Sequence, residues 1–282
     1  MTKKIAVIQD LSGFGRCSLT AALPIISVMG VQPCPMPTAV LTAQTGYPSY
    51  YMDDLTDKME YFREEWQKMQ VHFDGIYTGF VASEQQIRNI LSFIDTFKEE
   101  DTFLLVDPVM GDDGKVYDMF TPTLCKLMKE LSLKADIITP NLTELCLLTE
   151  LPYEGVLEID NVEELVNVVT AMARHLMKMG PSDVIVTGLR YQEDGIEMMG
   201  NLAVNKEGVT LKGSPLLGCS YSGTGDIFAS IVAGGMARGD ALSEIITEAR
   251  DFITTAIKRS PKEGTYNADG VDFEPILGML IK

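Results

Sequence analysis

Five short apolar runs separated by stretches of helical periodicity constrain this chain more than any other feature. The first, Ile5-Ala6-Val7-Ile8, ends in a polar, glycine-bearing turn (Gln9-Asp10-Leu11-Ser12-Gly13-Phe14-Gly15). That turn gives way to apolar residues of helical character from Leu19 to Met29. Comparable runs stand at 75–79, 102–107, 135–139 and 183–187, and helical patterns rather than hairpin turns separate them. An alternation of strand and helix joins neighbouring strands through crossover helices, which makes the strands parallel and covers the sheet on both faces. The expected architecture is a three-layer α/β/α sandwich around a mostly parallel sheet.

The helix ends are legible too. Ser83 with Gln86 has capping-box spacing before Ile87, Ile90, Leu91 and Ile94, and Thr121-Pro122 supplies a cap and a first-turn proline before Leu124, Leu127, Met128 and Leu131. Val162, Leu165, Val166, Val169, Met172, Ala173 and Leu176 form the longest apolar stripe and read as core packing, as do Met177 and Met179. Between Ile196 and Leu211 the pattern changes to two strands joined through Lys206-Glu207-Gly208, an antiparallel edge on the parallel sheet. Helices follow at 227–238 and 241–258. No linker, low-complexity tract or repeat divides the chain, so residues 1–282 are expected to form one domain.

Charge narrows the partners. Against 40 acidic residues stand 23 lysines and arginines, a net −17, which argues against sequence-independent binding to nucleic acid or anionic membrane. Eight of the acids (Asp136, Glu144, Glu150, Glu154, Glu158, Asp160, Glu163, Glu164) fall between Ala135 and Ala173, where there is no lysine or arginine; apart from Glu144 they read as solvated faces. No apolar run reaches the roughly 18 to 20 residues of a membrane span, and the opening MTKKIAVIQD has no signal-peptide pattern, so a cytoplasmic protein is expected. The five cysteines (Cys17, Cys34, Cys125, Cys146, Cys219) are scattered without a CxxC pair, which points to packed thiols. His72 and His175 lie outside every polar cluster and read as surface or packing residues.

In open parallel sheets ligands bind beyond the carboxyl ends of the strands, and this chain puts its polar, glycine-rich clusters there. The sharpest is Tyr221-Ser222-Gly223-Thr224-Gly225-Asp226. Its glycines permit a tight turn at a helix start, where successive N–H groups and the helix dipole hold an anion without a cationic side chain. Asp226 in the first turn can accept a proton from an attacking hydroxyl. Asp107-Pro108-Val109-Met110-Gly111-Asp112 brings carboxylates of the kind Mg²⁺ uses beside phosphates, although Asp-Pro and Asp-Asp-Gly are also ordinary turn chemistry. Asn141 and Glu144 have capping spacing. Arg16 opens the first helix, where it can meet phosphate or solvent.

Together and in this order the clusters resemble the pyridoxal kinases, the vitamin kinase branch of the ribokinase-like superfamily, over nearly the whole chain. Gly223-Thr224-Gly225-Asp226 is similar to the superfamily's anion hole and base; Asp107 to Asp112 and Thr139-Pro140-Asn141-Leu142-Thr143-Glu144 resemble the family's DPVxGD and TPNxxE segments. The resemblance implies a ribokinase-like fold without a β-lid, an ATP-dependent kinase acting on the 5′-hydroxyl of a B6 vitamer, and a homodimer. It makes Asp226 the base and Gly223, Thr224 and Gly225 the phosphate cradle. Asp107, Asn141, Glu144 and Thr187 fall to the nucleotide, and Asp112 and Glu144 to Mg²⁺; a monovalent cation belongs to the same expectation. On the acceptor side it points to Asp10, Ser12, Gln44, Thr45 and Phe80, with Phe80 where a tyrosine is common and Asp10 where many pyridoxal kinases carry serine. Asp10, Ser12, Gly13, Ala43 and Gln44 are instead similar to the hydroxymethylpyrimidine kinases, a sister family and the alternative reading. A carboxylate facing the ring suits a protonated ring nitrogen or an amino group. The segment from Met110 to Asp118 is the candidate for a loop that closes over the site.

Overall fold

The computed structural model describes residues 2–157, 159, 161–218, 221–260 and 266–282, so Glu158, Asp160 and Cys219 lie outside the described residues. The chain folds as two compact units, Met1–Leu104 with Leu217–Lys282, and Leu105–Leu216.

The first unit opens with β1 (Lys4–Ser12), α1 (Ser18–Val28), β2 (Gln32–Leu41), β3 (Met52–Asp54), α2 (Thr56–Lys68), β4 (Gly75–Thr78) and α3 (Glu84–Phe97). Its strands lie in the order β4-β1-β2-β3, parallel except for β3, which runs antiparallel to the end of β2. Ile5 to Ile8 are wholly buried, as a strand covered on both faces requires. Three prolines, Pro33, Pro35 and Pro37, kept β2 from reading as a strand in the sequence. They alternate, so their missing N–H groups all fall on one side of the strand, while β1 pairs on the other and β3 joins only from Ala39. Ser83 caps α3 as expected, taking the Gln86 N–H at 3.3 Å, but the Gln86 side chain accepts from Ala82 N–H rather than closing the box on Ser83.

The second unit begins within β5 (Phe103–Val106) and continues through β6 (Gly111–Asp112), β7 (Lys115–Val116), α4 (Pro122–Lys134), β8 (Ile137–Ile138), α5 (Leu142–Thr149), α6 (Glu154–Leu157), α7 (Val162–Met177), β9 (Asp183–Glu193), β10 (Ile196–Asn205) and β11 (Gly208–Pro215). β5, β8 and β9 are parallel, and β10 and β11 add the antiparallel edge. β9 runs six residues past Thr187, to Glu193, because Asp194 and Gly195, both with positive φ, make the two-residue turn that matches strand twist and lead directly into β10. Asp113 and Gly114 repeat that turn between β6 and β7. Thr121 caps α4 through Leu124 N–H at 3.1 Å. Met172 is buried in the α7 stripe as expected, whereas Met179, just past the helix, is 39% exposed and is not core.

The chain returns to the first unit with α8 (Thr224–Arg238), α9 (Leu242–Arg259), α10 (Tyr266–Asp269) and a 3₁₀ helix, Glu274–Leu280. α8 is buried from Ile227 through Gly235 and packs on α1 and α9. Among the described residues no helix is long and apolar enough to cross a membrane. His72 and His175 are exposed; His72 faces Glu99 and Asp101.

Candidate active site

In the first unit the C-terminal end of β1 carries Asp10, only 4% exposed. Its Oδ1 accepts the Ser18 hydroxyl at 2.6 Å and its Oδ2 the Ser12 hydroxyl at 2.9 Å. Burial raises the carboxyl above its usual range, and the two hydroxyls hold it partway back. Both oxygens therefore have partners within their own unit, and Ser18, at φ 45°, sits in the left-handed region to provide one of them. Cys17, beside it, is a packed thiol as expected. Its thiol is pushed up to about 12 by burial first, then by Asp226 and Asp10, so the same small region holds the Asp226 and Asp10 carboxyls.

The glycine turn has a steric explanation. Gly223 adopts φ 80° and ψ 0° as the N-cap of α8, and a Cβ there would stand 1.9 Å from the Arg16 carbonyl oxygen. Only glycine fits. Gly225 is the opposite case: it is exposed, and a Cβ would meet nothing within 4 Å. The Thr224 hydroxyl donates to Tyr221 O at 3.1 Å, and the half-buried Asp226 lies in the first turn of the helix. A helix start with an open face and a carboxylate one residue further on is suited to hold an anion and take a proton.

Of the remaining acceptor-side residues, Thr45 is exposed and Phe80 half-buried. Gln44 is 8% exposed with every polar atom engaged: Oε1 accepts Gly46 N–H at 2.7 Å, and Nε2 donates to Ala268 O at 2.9 Å and to Ser222 Oγ at 3.4 Å. Arg16 does not present a free guanidinium; Asp272 and Glu274 each hold it at 2.7 Å.

The second unit gathers Asp107, Asn141, Glu144 and Thr187. Asp107, 7% exposed, accepts the Thr139 hydroxyl at 2.9 Å, and burial pushes its carboxyl up to about 7. Asn141 and Glu144 do form a capping box on α5: Asn141 Oδ1 accepts Glu144 N–H at 2.9 Å, and Glu144 Oε2 accepts Asn141 N–H at 2.8 Å. The same residues hold the Met110–Gly114 stretch. Glu144 Oε1 accepts Met110 N–H at 3.1 Å, Asn141 Nδ2 donates to Gly111 O at 2.8 Å, and Thr143 Oγ1 accepts Gly114 N–H at 2.9 Å. Asp112 through Met119 beyond these anchors are exposed. Thr187 N–H donates to Pro140 O at 2.9 Å, which ties the middle of β9 to the residue before the α5 cap. Burial first, then Asp107 and Asp112, raise Glu144 well above the carboxylate range. Asp107 and Glu144 are thus two buried carboxyls, with the exposed Asp112 adding to the charge felt by Glu144.

A mostly parallel sheet with antiparallel edge strands, flanked by helices, with a glycine-rich helix start carrying a carboxylate, is the architecture of the ribokinase-like kinases. The chain is similar over 99% of its length to the pyridoxal kinase structure from Lactobacillus plantarum, with a TM-score of 0.84, 28% identity and 97% of that chain covered. It matches the phosphomethylpyrimidine kinase family model over residues 17–270 and belongs to that family. A Bacteroides thetaiotaomicron VPI-5482 protein provisionally named a phosphomethylpyrimidine kinase, solved in an orthorhombic form with pyridoxal, is 39% identical with a TM-score of 0.91, covering 99% of this chain and 96% of that one. Pyridoxal kinase PdxY of Rubrobacter xylanophilus is 26% identical over 270 residues, 92% of this chain and 88% of the relative.

Proposed function

We propose that this chain is an ATP-dependent kinase that transfers the γ-phosphoryl group to the 5′-hydroxyl of a B6 vitamer. The observation that carries the reading is the start of α8, where Gly223 lies in the left-handed region with no room for a side chain, Gly225 is open, and Asp226 lies on the first turn. Pyridoxal in the Bacteroides relative and the pyridoxal kinases among the other relatives support the acceptor. In the reaction Asp226 takes the proton as the hydroxyl oxygen bonds to phosphorus and the bond to the β-phosphate oxygen breaks, leaving ADP. The N–H groups from Gly223 to Gly225 hold the transferring phosphoryl charge. Asp107, Asn141 and Thr187 are assigned to the nucleotide. Mg²⁺, held by Asp112 and Glu144 directly or through water, would supply the positive charge that screens the phosphates; both Glu144 oxygens already accept backbone N–H groups, which favours the water-mediated form for that residue. A cytoplasmic homodimer that also uses a monovalent cation completes the proposal, on the strength of the family resemblance.

The family's description and the carboxyl of Asp10 favour one second reading, phosphorylation of hydroxymethylpyrimidine or its phosphate. ADP release measured side by side with pyridoxal, pyridoxine, pyridoxamine and hydroxymethylpyrimidine decides between them. The expected outcome is a kcat/KM for at least one vitamer well above that for the pyrimidine; the reverse order transfers the assignment, and vitamer binding without ADP release makes the protein a binder. Chelation of divalent cations with EDTA is expected to abolish turnover and excess Mg²⁺ to restore it. Asp112→Asn should raise the Mg²⁺ needed for half-maximal activity several-fold with an unchanged Tm, because the residue is exposed. A normal Mg²⁺ dependence in that variant removes Asp112 from the metal site.

A further inference from the structure

Three stretches of the first unit that carry acceptor-side and phosphate-side residues (13–16, 44–47 and 221–223) meet at one segment of the C-terminal region, 267–274, to which neither motif nor periodicity drew attention. Asn267 O accepts Ser222 N–H at 2.9 Å, directly before the glycine turn. Ala268 O accepts the Gln44 amide at 2.9 Å. Asp269 O accepts Arg16 N–H at 3.1 Å, and the Asp269 carboxylate accepts the Tyr47 hydroxyl. Gly270, at φ 82°, lies so close that a Cβ would be 2.8 Å from Arg16 Cβ and 3.2 Å from Ser222 O. Asp272 and Glu274 then hold the Arg16 guanidinium. Tyr47 in turn carries Phe14, 58% exposed, edge-on at 5.5 Å.

Each bond is ordinary; their convergence is not. The Arg16 carbonyl is the atom that leaves no room for a side chain at Gly223, and Arg16 is tied to this segment through both its backbone and its side chain. Gln44, read from the sequence as a substrate contact, spends its amide donor here. We propose that Asp269 is a positioning residue of the kinase site: its carboxylate fixes the Tyr47 hydroxyl, and its segment locks the 44–47 loop to the glycine turn, so that the acceptor alcohol is presented to the phosphoryl group in register. The proposal rests on the kinase reading and adds a residue to it. Burial and the Asp269 hydrogen bond push the Tyr47 phenol up to about 12, which keeps it a donor at working pH.

The test pairs Asp269→Ala with Tyr47→Phe. Each removes the side-chain bond and leaves the main-chain bonds of residues 267–269. Steady-state kinetics are run against ATP and the preferred vitamer, with pyridoxine binding followed by its own fluorescence. Both single variants should raise the vitamer KM and lower kcat, together about tenfold or more in kcat/KM, with the ATP KM unchanged, since small displacements of a reacting group are costly. The double variant should be no worse than either single one. Asp269→Asn, which keeps an acceptor oxygen, should recover much of the loss. Wild-type vitamer constants in both single variants, additive losses in the double variant, or an equal rise in the ATP KM would each overturn the proposal. A wild-type protein without kinase activity would instead remove the reading beneath it, an outcome separable because pyridoxine binding is measured independently of turnover.

Discussion

Asp226→Asn is expected to lower kcat between about a hundredfold and ten-thousandfold, the usual worth of a positioned general base. The substitution is isosteric. The side chain lies half-buried in the first turn of α8, next to the buried stretch from Ile227 through Gly235. Removing a carboxylate from a helix N-terminus costs about 0.3–1 kcal/mol of dipole interaction, too little to unfold the protein. ATP binding measured by calorimetry should therefore stay within a few-fold of wild type while ADP release collapses. Unchanged turnover in this variant ends the assignment of Asp226 as base.

Two glycines two positions apart should respond in opposite ways to alanine. At Gly223 the new Cβ stands 1.9 Å from a backbone oxygen and φ is 80°, so the Arg16 peptide has to move. Left-handed strain and a backbone clash together should cost about 2–4 kcal/mol, a fall in Tm of about 5–10 °C, with activity lost as the cradle deforms. At Gly225 the Cβ enters open space at an ordinary helical φ, and alanine should hold or raise the Tm, by up to about 1 kcal/mol of helix propensity. Its methyl nevertheless occupies the face through which a phosphoryl group reaches the backbone N–H groups, so kcat/KM should fall about a hundredfold. Thermal melts with the ADP-release assay check both. A Gly225→Ala enzyme with full activity would show that the open face is not the phosphate cradle.

Much of the layering was legible because burial on both faces of a parallel strand writes itself as an unbroken apolar run, as in Ile5 to Ile8 and Val184 to Val186. The caps at Thr121 and Asn141 were equally plain, being local hydrogen bonds over three residues. β2 was not legible, since its prolines are acceptable only on an edge, and which side of a strand is an edge is a tertiary fact. The length of β9 was missed for a different reason: its outer half, from Gly188 to Glu193, alternates in burial and reads as loop until the Asp194-Gly195 turn is recognised as a hairpin.

The sequence alone determined the alternation of buried strands with helices, the two clusters of chemistry at 107–144 and 221–226, and the need for glycine at a helix start, because each follows from residues near one another in the chain. Tertiary structure decided what those residues do with their polar atoms. Asp10 spends its carboxyl on Ser12 and Ser18, Gln44 its amide on Ala268, Arg16 its charge on Asp272 and Glu274, and Glu144 both its oxygens on backbone N–H groups. Several of those partners lie more than two hundred residues away in the chain, and a hydrogen bond, unlike a hydrophobic stripe, leaves no period in the sequence by which its distant partner can be found.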